Sequence, residues 1–484
     1  MKLSDILKDV AFRDIIGDVD KEITNLCFDS RRADGESLFF ALPGTNVDGH
    51  DYMAEATEKG ATAAVCERLP EKPCDNVCYI LVETSNEALA YAASTFYGKP
   101  SEKLKLVGAT GTNGKTTTVS LLYELFRRLG YKSGLISTIA VYIDGATYPT
   151  THTTPDSVQI NKYLAQMVEQ GCEYCFMEVS SHSIVQKRIS GLNFAGGTFS
   201  NITHDHLDYH RTFDEYIKAK KGFFDMLPKT AFALTNVDDR NGKRMVQNTK
   251  AKIKTYASAS PADFMCRVSE NSFEGMLLQI DGSEVWTRFT GRFNACNLAA
   301  VYGTAVLLGA DKTEVLRIIS DLKPVSGRFE SIRLSSGVTA IVDYAHTPDA
   351  LQNVVDAVNE VRSGKSQLII VVGCGGNRDK TKRPEMAKIA ARFGDKSIMT
   401  SDNPRFEKPE DIIDDMKAGL DEILSAKSIS VVDRREAIKT ALRSAVKGDI
   451  ILIAGKGHED YQEIQGVKYR FDDKEVVIEL SENK

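Results

Sequence analysis

The stretch LKLVGATGTNGKTTTVSLLYELFRRLG, residues 104–130, constrains this chain more than any other. LKLVGA reads as a short strand and TGTNGKTT as a glycine-rich loop. From Thr116 the apolar residues Val119, Leu122, Leu125, Phe126 and Leu129 recur at helical spacing. Strand, glycine loop and helix in that order are the context of a phosphate-binding loop. Its backbone N–H groups and the helix N-terminus converge on an anion. Gly111, Thr112, Asn113, Gly114, Lys115, Thr116 and Thr117 are therefore expected to bind a nucleoside triphosphate. Lys115 would reach the β and γ phosphates, and the Thr116 hydroxyl would ligate Mg2+. The strict pattern has Gly where this chain has Ala109, but Gly111 and Gly114 still supply backbone freedom. The loop alone does not name a reaction, because kinases, ligases, transport ATPases and switch GTPases share it.

Strand-like and helical patterns alternate along the whole chain, which predicts an α/β fold with parallel sheets. The 484 residues are too many for one core. Clusters of Gly, Pro and charge at YGKPSEK (97–103) and KPVSGRFES (323–331) divide them into segments 1–98, 99–330 and 331–484. A net charge of −6 argues against a general nucleic-acid binder. No apolar run approaches the roughly 18 residues a membrane helix needs. The start, MKLSDILKDVAFRDIIG, carries acidic residues and does not read as a secretory signal, so a cytoplasmic location is expected. Nine scattered cysteines make no disulfide framework, and the Cys172–Cys175 pair lies in a strand-like run. Buried small hydrophobes are the better reading.

Two stretches suggest metal. CFMEVSSHS is an apolar strand ending at Glu178, where a carboxylate can hold Mg2+ beside the phosphate loop. NITHDHLDYH packs His204, Asp205, His206, Asp208 and His210 into seven residues. A polar surface loop is the plainer alternative. In TFDEYIKAKKGFFDML, Phe213, Ile217, Lys220 and Phe224 fall on one helix face. An inward lysine is costly unless paired or modified. Carbamylation by CO2 would convert it into a metal ligand. Snorkelling to solvent is the competing solution.

In the third segment, VTAIVDY, QLIIVVG, SIMTSD and DIILIAG read as strands, each ending at a polar motif. Ligand sites in open parallel sheets lie at such strand ends. GCGG lacks the spacing of a dinucleotide fingerprint. TSDNPRFEK leaves its strand, turns at Asn403-Pro404 and places Arg405 there. Either this is a surface turn or Arg405 reads a carboxylate.

GTNGKTT, EVSSHSIVQKR, NITHDHLDYH, YIKAKKGFF, GRFNACN, SGRFE, VDYAHTPDAL, GCGGNRDKTKRP, DNPR and AGKGHEDYQ occur in this order. Together they resemble the Mur ligase family of peptidoglycan synthesis, over nearly the whole chain. The resemblance implies three domains: an N-terminal UDP-sugar-binding domain, a central ATPase with a parallel sheet, and a C-terminal Rossmann-like domain that takes the amino acid. It implies that Lys220 is carbamylated and that Thr116, Glu178, His206 and the Lys220 carbamate hold two Mg2+ ions. Lys115 completes the catalytic set. Asn297, Arg328 and Asp343 match ATP-site residues. Ser30, Thr45 and Asn46 match contacts to the UDP-sugar. Thr153, Thr154, Ser180, Gln186 and Arg188 match the muramoyl-dipeptide site. His152 and Ser326 depart from the family pattern at positions that carry no chemistry.

The resemblance further implies that Arg378, Asp402, Asn403, Pro404, Arg405, Gly455 and Glu459 bind meso-diaminopimelate, since DNPR accompanies that substrate. Arg405 would pair with its distal carboxylate, and Asn403 and Glu459 would take its ammonium. The expected substrates are UDP-N-acetylmuramoyl-dipeptide, meso-diaminopimelate and ATP. A monomer is expected, with neither nucleic acid nor membrane as partner. The implied activity joins a carboxylate to an amine through an acyl phosphate. Alternatives are the same ligase using L-lysine, a folylpolyglutamate-type ligase, and a phosphate-loop switch protein. The last would need a base-reading Asn-Lys-x-Asp, which is not evident.

Overall fold

The computed structural model describes residues 1–44, 47–150, 152–203, 205 and 207–482. Three β-sheets follow one another along the chain. The first has five strands between Asp14 and Leu81, parallel except for the edge strand Asp14–Ile16. Apolar clusters cover both of its faces, one built on Leu38, Phe40 and Val65, the other on Phe39, Ala64 and Tyr79. The alternation of these residues is the period-two signature of a strand.

The second sheet has eleven strands. Seven are parallel, running from Ser133–Ile136 through Tyr174–Glu178, Lys105–Thr110, Phe194–Phe199, Phe232–Asn236 and Lys252–Ala257 to Phe264–Asn271. The parallel sheet expected from sequence is thus the centre of a mixed one. Antiparallel hairpins extend both edges, at 141–148 and 276–287. Short connections allow that, whereas parallel strands need crossover helices. The helix Lys115–Arg128 buries Val119, Leu122, Leu125 and Phe126 against one face. The helix Phe213–Asp225 buries Ile217, Phe223 and Phe224 against the other. Its Thr212 N-cap accepts a hydrogen bond from the Glu215 N–H.

The third sheet has six strands in the order Glu330–Arg333, Thr339–Asp343, Ile450–Ala454, Leu368–Cys374, Lys396–Ser401, Ser428–Ser430. Only the first is antiparallel. Leu368–Cys374 is buried along its whole length, as expected of a central strand with helices on both faces. An outlying hairpin, Tyr461–Ile464 with Val467–Arg470, attaches through a bridge between Arg405 and Ile464. Eight of the nine cysteines are at least partly buried and none is bridged; Cys172 and Cys175 are both buried. Among the described residues, no helix is long and apolar enough to cross a membrane.

Candidate active site

A cleft of about 1020 Å³ runs between the second and third sheets. The phosphate loop forms one wall. Gly111 and Gly114 have φ of +153° and +85°. A Cβ on Gly111 would run into the Ser200 hydroxyl, and one on Gly114 would sit 2.5 Å from Asn297 Oδ1. These two glycines thus bring the loop against its neighbours at positions where a side chain would not fit. The helix Lys115–Arg128 begins immediately after, so its N-terminal dipole faces the cleft. Thr112, Asn113, Lys115, Thr116, Thr117 and Asn297 line the wall.

Lys115 Nζ turns back on the loop, donating to the carbonyls of Gly111 at 3.0 Å and Thr112 at 2.7 Å. Lys220 Nζ donates to the same Gly111 carbonyl at 2.7 Å. Lys220 is only 1% exposed, so the snorkelling alternative is overturned. Burial, reinforced by the nearby Lys115 charge, pushes the Lys220 amine well below its ordinary pKa. Burial lowers Lys115 as well.

Glu178 ends its strand fully buried. Its Oε1 accepts from the Thr138 N–H at 2.8 Å, while Oε2 has no hydrogen-bond partner among the described residues. A buried carboxylate oxygen without a donor fits a cation. Asp205 also lines the cleft, and His210 is buried with Nε2 2.8 Å from Ser181 Oγ. His206, Thr45 and Asn46 lie outside the described residues.

Thr153, Thr154, Ser180 and Arg188 line the adjoining part of the cleft. Thr154 Oγ1 donates to the Glu178 carbonyl at 2.8 Å. Arg188 is held by Gln186 Oε1, at 2.9 and 2.6 Å, and by the Thr154 carbonyl at 2.7 Å. Gln186 therefore supports Arg188 rather than lining the cleft itself. Ser30 does not reach the cleft; it is on the first sheet's domain, its hydroxyl donating to Glu55 at 2.9 Å.

The opposite wall is the carboxyl edge of the third sheet, with Arg378, Asp402, Asn403, Arg405, Gly455 and Glu459. Pro404 is buried behind it. Arg405 adopts a left-handed φ of +52°, which is strained for a side chain of this size. The strain is held by backbone bonds from Arg405 N to the Glu463 carbonyl at 3.0 Å and from Gln465 N to the Arg405 carbonyl at 2.7 Å. The Arg405 guanidinium donates to the Gly376 carbonyl at 2.8 Å, and its Nε lies 3.5 Å from Glu463 Oε2. These anchors aim the group rather than leaving a free surface turn.

Lys456 went unread in the sequence. It is fully buried, and its Nζ donates to Glu459 Oε2 at 3.2 Å and Asn403 Oδ1 at 3.3 Å. Asn403 Oδ1 also accepts from the Glu463 N–H at 2.9 Å, so its two lone pairs are occupied. Asn403 therefore orients Glu459 through Nδ2, at 2.8 Å, instead of offering a free acceptor. Asp402 Oδ1 has no hydrogen-bond partner among the described residues and lies 3.8 Å from Lys456 Nζ. Burial, with Asp402 nearby, raises the Glu459 carboxyl.

Between the walls, Arg328 stacks on Tyr344, 4.4 Å from the ring centre, and donates to Thr116 Oγ1 at 3.2 Å. Asp343 accepts from the N–H groups of Phe329 and Ala345, at 2.6 and 2.7 Å, while burial pushes its carboxyl up to about 6.

Comparisons with known proteins agree with this layout. Residues 109–305 match the Mur ligase middle domain, residues 327–457 the Mur ligase glutamate ligase domain, and residues 22–97 the Mur ligase family catalytic domain. The chain is 57% identical over 484 residues to the UDP-N-acetylmuramoyl-L-alanyl-D-glutamate–2,6-diaminopimelate ligase of Phocaeicola vulgatus, covering 100% of both. A solved structure of a ligase of that name superposes with a TM-score of 0.70 at 31% identity, covering 100% of this chain and 99% of the other. The folylpolyglutamate synthase of Mycobacterium tuberculosis shares the fold alone, with a TM-score of 0.61 at 16% identity, over 76% of this chain and 91% of that one.

Proposed function

The chain belongs to the Mur ligase family, and from that premise we propose that it adds meso-2,6-diaminopimelate to UDP-N-acetylmuramoyl-L-alanyl-D-glutamate, driven by ATP. The carrying observation is a single cleft with a phosphate loop on one wall and an aimed arginine with the carboxylates of Asp402 and Glu459 on the other. The reading places the reaction in the cytoplasm, in a monomer of three domains bounded near residues 98 and 330.

A carboxylate is a poor electrophile. Transfer of the ATP γ-phosphoryl to the glutamate γ-carboxylate gives an acyl phosphate and ADP. The neutral amine of diaminopimelate then attacks the carbonyl carbon, and collapse of the tetrahedral adduct forms the amide and expels phosphate. No protein nucleophile is required. The loop N–H groups and Lys115 orient and neutralise the triphosphate. Arg328, reaching Thr116 across the junction, adds a second cation at that wall. Arg188, braced by Gln186, faces an anionic group of the dipeptide.

Glu178, whose Oε2 has no partner among the described residues, and Thr116 fit a Mg2+ ion, joined in this reading by His206. Mg2+ bound there would neutralise charge on the phosphoryl oxygens. Lys220 would contribute to metal binding as a carbamate. Burial shifts its amine toward the neutral form, and the neutral amine is the form that reacts with CO2. At the far wall Arg405 would receive the distal carboxylate of diaminopimelate, and Asp402 and Glu459 its ammonium. L-Lysine lacks that carboxylate and would leave the Arg405 guanidinium, anchored by the Gly376 carbonyl and Glu463, without the substrate anion it is placed to receive.

The test is phosphate release with ATP, Mg2+ and UDP-N-acetylmuramoyl-L-alanyl-D-glutamate, comparing meso-diaminopimelate, L-lysine and no amino acid. Turnover with diaminopimelate alone is expected. Equal turnover with lysine would overturn the substrate assignment.

A further inference from the structure

An amide bond forms only where the contents of the two walls meet, yet the walls belong to different sheets. Among the described residues, two polar side chains of the phosphate loop meet the far side of the junction. Thr116 meets Arg328, and Asn113 meets Asp349. Asp349 stands in the first turn of the helix Pro348–Val361, which Thr347 caps by accepting from the Ala350 N–H. Asp349 Oδ2 accepts from Asn113 Nδ2 at 2.8 Å, from Thr203 Oγ1 at 3.1 Å and from Asn353 Nδ2 at 3.2 Å. The first two donors belong to the central sheet's domain.

Asn113 is itself immobilised. Its N–H donates to Asn201 Oδ1 at 2.9 Å, and its carbonyl accepts from Ser200 Oγ at 2.5 Å and Asn201 Nδ2 at 3.2 Å. A displacement of Asp349 therefore has to break the contact rather than drag the loop. A carboxylate beside this loop is also repelled by an anionic triphosphate once that is bound there. Here three donors and the helix dipole offset that cost. A contact made only for surface packing would not require the charge.

We propose that Asp349 is a positioning residue which, through Asn113 and Thr203, fixes the amino-acid wall relative to the phosphate loop, so that amine attack depends on it and acyl-phosphate formation does not. This rests on the ligase reading above. Asp349 touches no reacting atom. It works by holding the third sheet, with Arg405 and Glu459, at the distance where the amine meets the activated carboxylate.

The experiment compares wild type, Asp349→Ala, Asp349→Asn and Thr203→Val in two assays on the full chain. One is steady-state ligation with varied meso-diaminopimelate. The other is ADP formed in a single turnover with ATP, Mg2+ and the UDP-dipeptide but no amino acid. Asp349→Ala should lower kcat/KM for the amino acid about 10- to 100-fold, the range for hydrogen bonds to a charged group. Its single-turnover ADP formation should stay within about twofold of wild type. Asp349→Asn, which keeps an acceptor, should fall between, and Thr203→Val should lose about threefold or less. Equal loss in both assays would mean that Asp349 acts only on the nucleotide loop and would overturn the proposal, as would no loss in either. If Asp349→Ala does not fold, the Asp349→Asn ratio between the two assays decides in the same way. Wild type inactive with diaminopimelate would instead refute the substrate reading, and the two failures are thereby distinct.

Discussion

Lys115 and Lys220 share one acceptor: both Nζ atoms donate to the Gly111 carbonyl, at 3.0 and 2.7 Å. Two ammonium groups on one buried oxygen repel, and desolvation penalises both. The relief falls on Lys220, whose amine is driven furthest toward neutrality. In the function proposed above that amine captures CO2, and once carbamylated it would no longer repel Lys115. Lys220→Ala should therefore lower kcat by about 100-fold or more, the scale of losing one electrostatic stabiliser. Short carboxylic acids should restore part of it by standing in for the carbamate. Full activity of the alanine variant in a phosphate-release assay would refute this.

Arg405→Ala should raise KM for meso-diaminopimelate by about 100-fold or more while leaving KM for ATP within about twofold. Arg405→Lys should rescue little, because an ammonium cannot form the two-pronged pair with a carboxylate. Initial rates over an amino-acid titration check both.

His346 supplies a pH prediction. Its ring is half-buried in the cleft wall, its Nδ1–H donates to the Tyr344 carbonyl at 2.9 Å, and desolvation, with the Lys382 charge nearby, lowers its pKa to about 4 from an ordinary 6.5. A depressed histidine contributes stability that is fully present above 6.5 and is lost as pH falls through about 4. The difference amounts to about 3 kcal/mol. Urea unfolding at pH 7 and pH 4 should show that loss in wild type and a flatter dependence in His346→Asn. Parallel curves for the two proteins would count against it.

Arg434 and Asp473 form a fully buried ion pair, with both bonds at 2.7 Å, tying the C-terminal helix to the helix Arg434–Ser444, while Arg434 also donates to the Ala454 carbonyl of the third sheet at 3.1 Å. Removing one partner leaves a buried charge alone, so Asp473→Ala should cost about 3–5 kcal/mol. The double variant Arg434→Met, Asp473→Leu should cost much less. Thermal melts of the three proteins give the comparison, and equal losses in the single and double variants would contradict it.

What the sequence made legible was local. The phosphate loop is contiguous, and the inward face of Lys220 follows from a spacing of four, three and four within one helix. The third sheet's strands show as apolar runs because both of their faces are covered. The antiparallel edges of the central sheet went unread, although Asp144-Gly145 and Asp281-Gly282, each between short apolar runs, are the turn chemistry of the hairpins at 141–148 and 276–287. Pairings at long range were not legible. Asn113 and Asp349 are 236 positions apart. Arg383 reads as one more basic residue in RDKTKRP. Yet it is fully buried, bracing the Arg405 turn through Glu407 at 2.9 Å and the Gly375 carbonyl at 3.2 Å. Lys456 likewise gives no periodic signal, because a single buried ammonium is decided by carboxylates that only the fold brings to it.

The amino-acid wall rests on a sheet with its own apolar cores on either face, one around Leu351, Ile370 and Leu452, the other around Val342, Ile369 and Ile453. The groups proposed to recognise the amino acid sit at strand ends, away from those cores. Such an arrangement is evolvable. Residues 402–407 and 455–465 can drift together toward a different amino acid while the folding of the sheet and the machinery for ATP are left untouched. A chain organised this way can change what it adds without relearning how to add it.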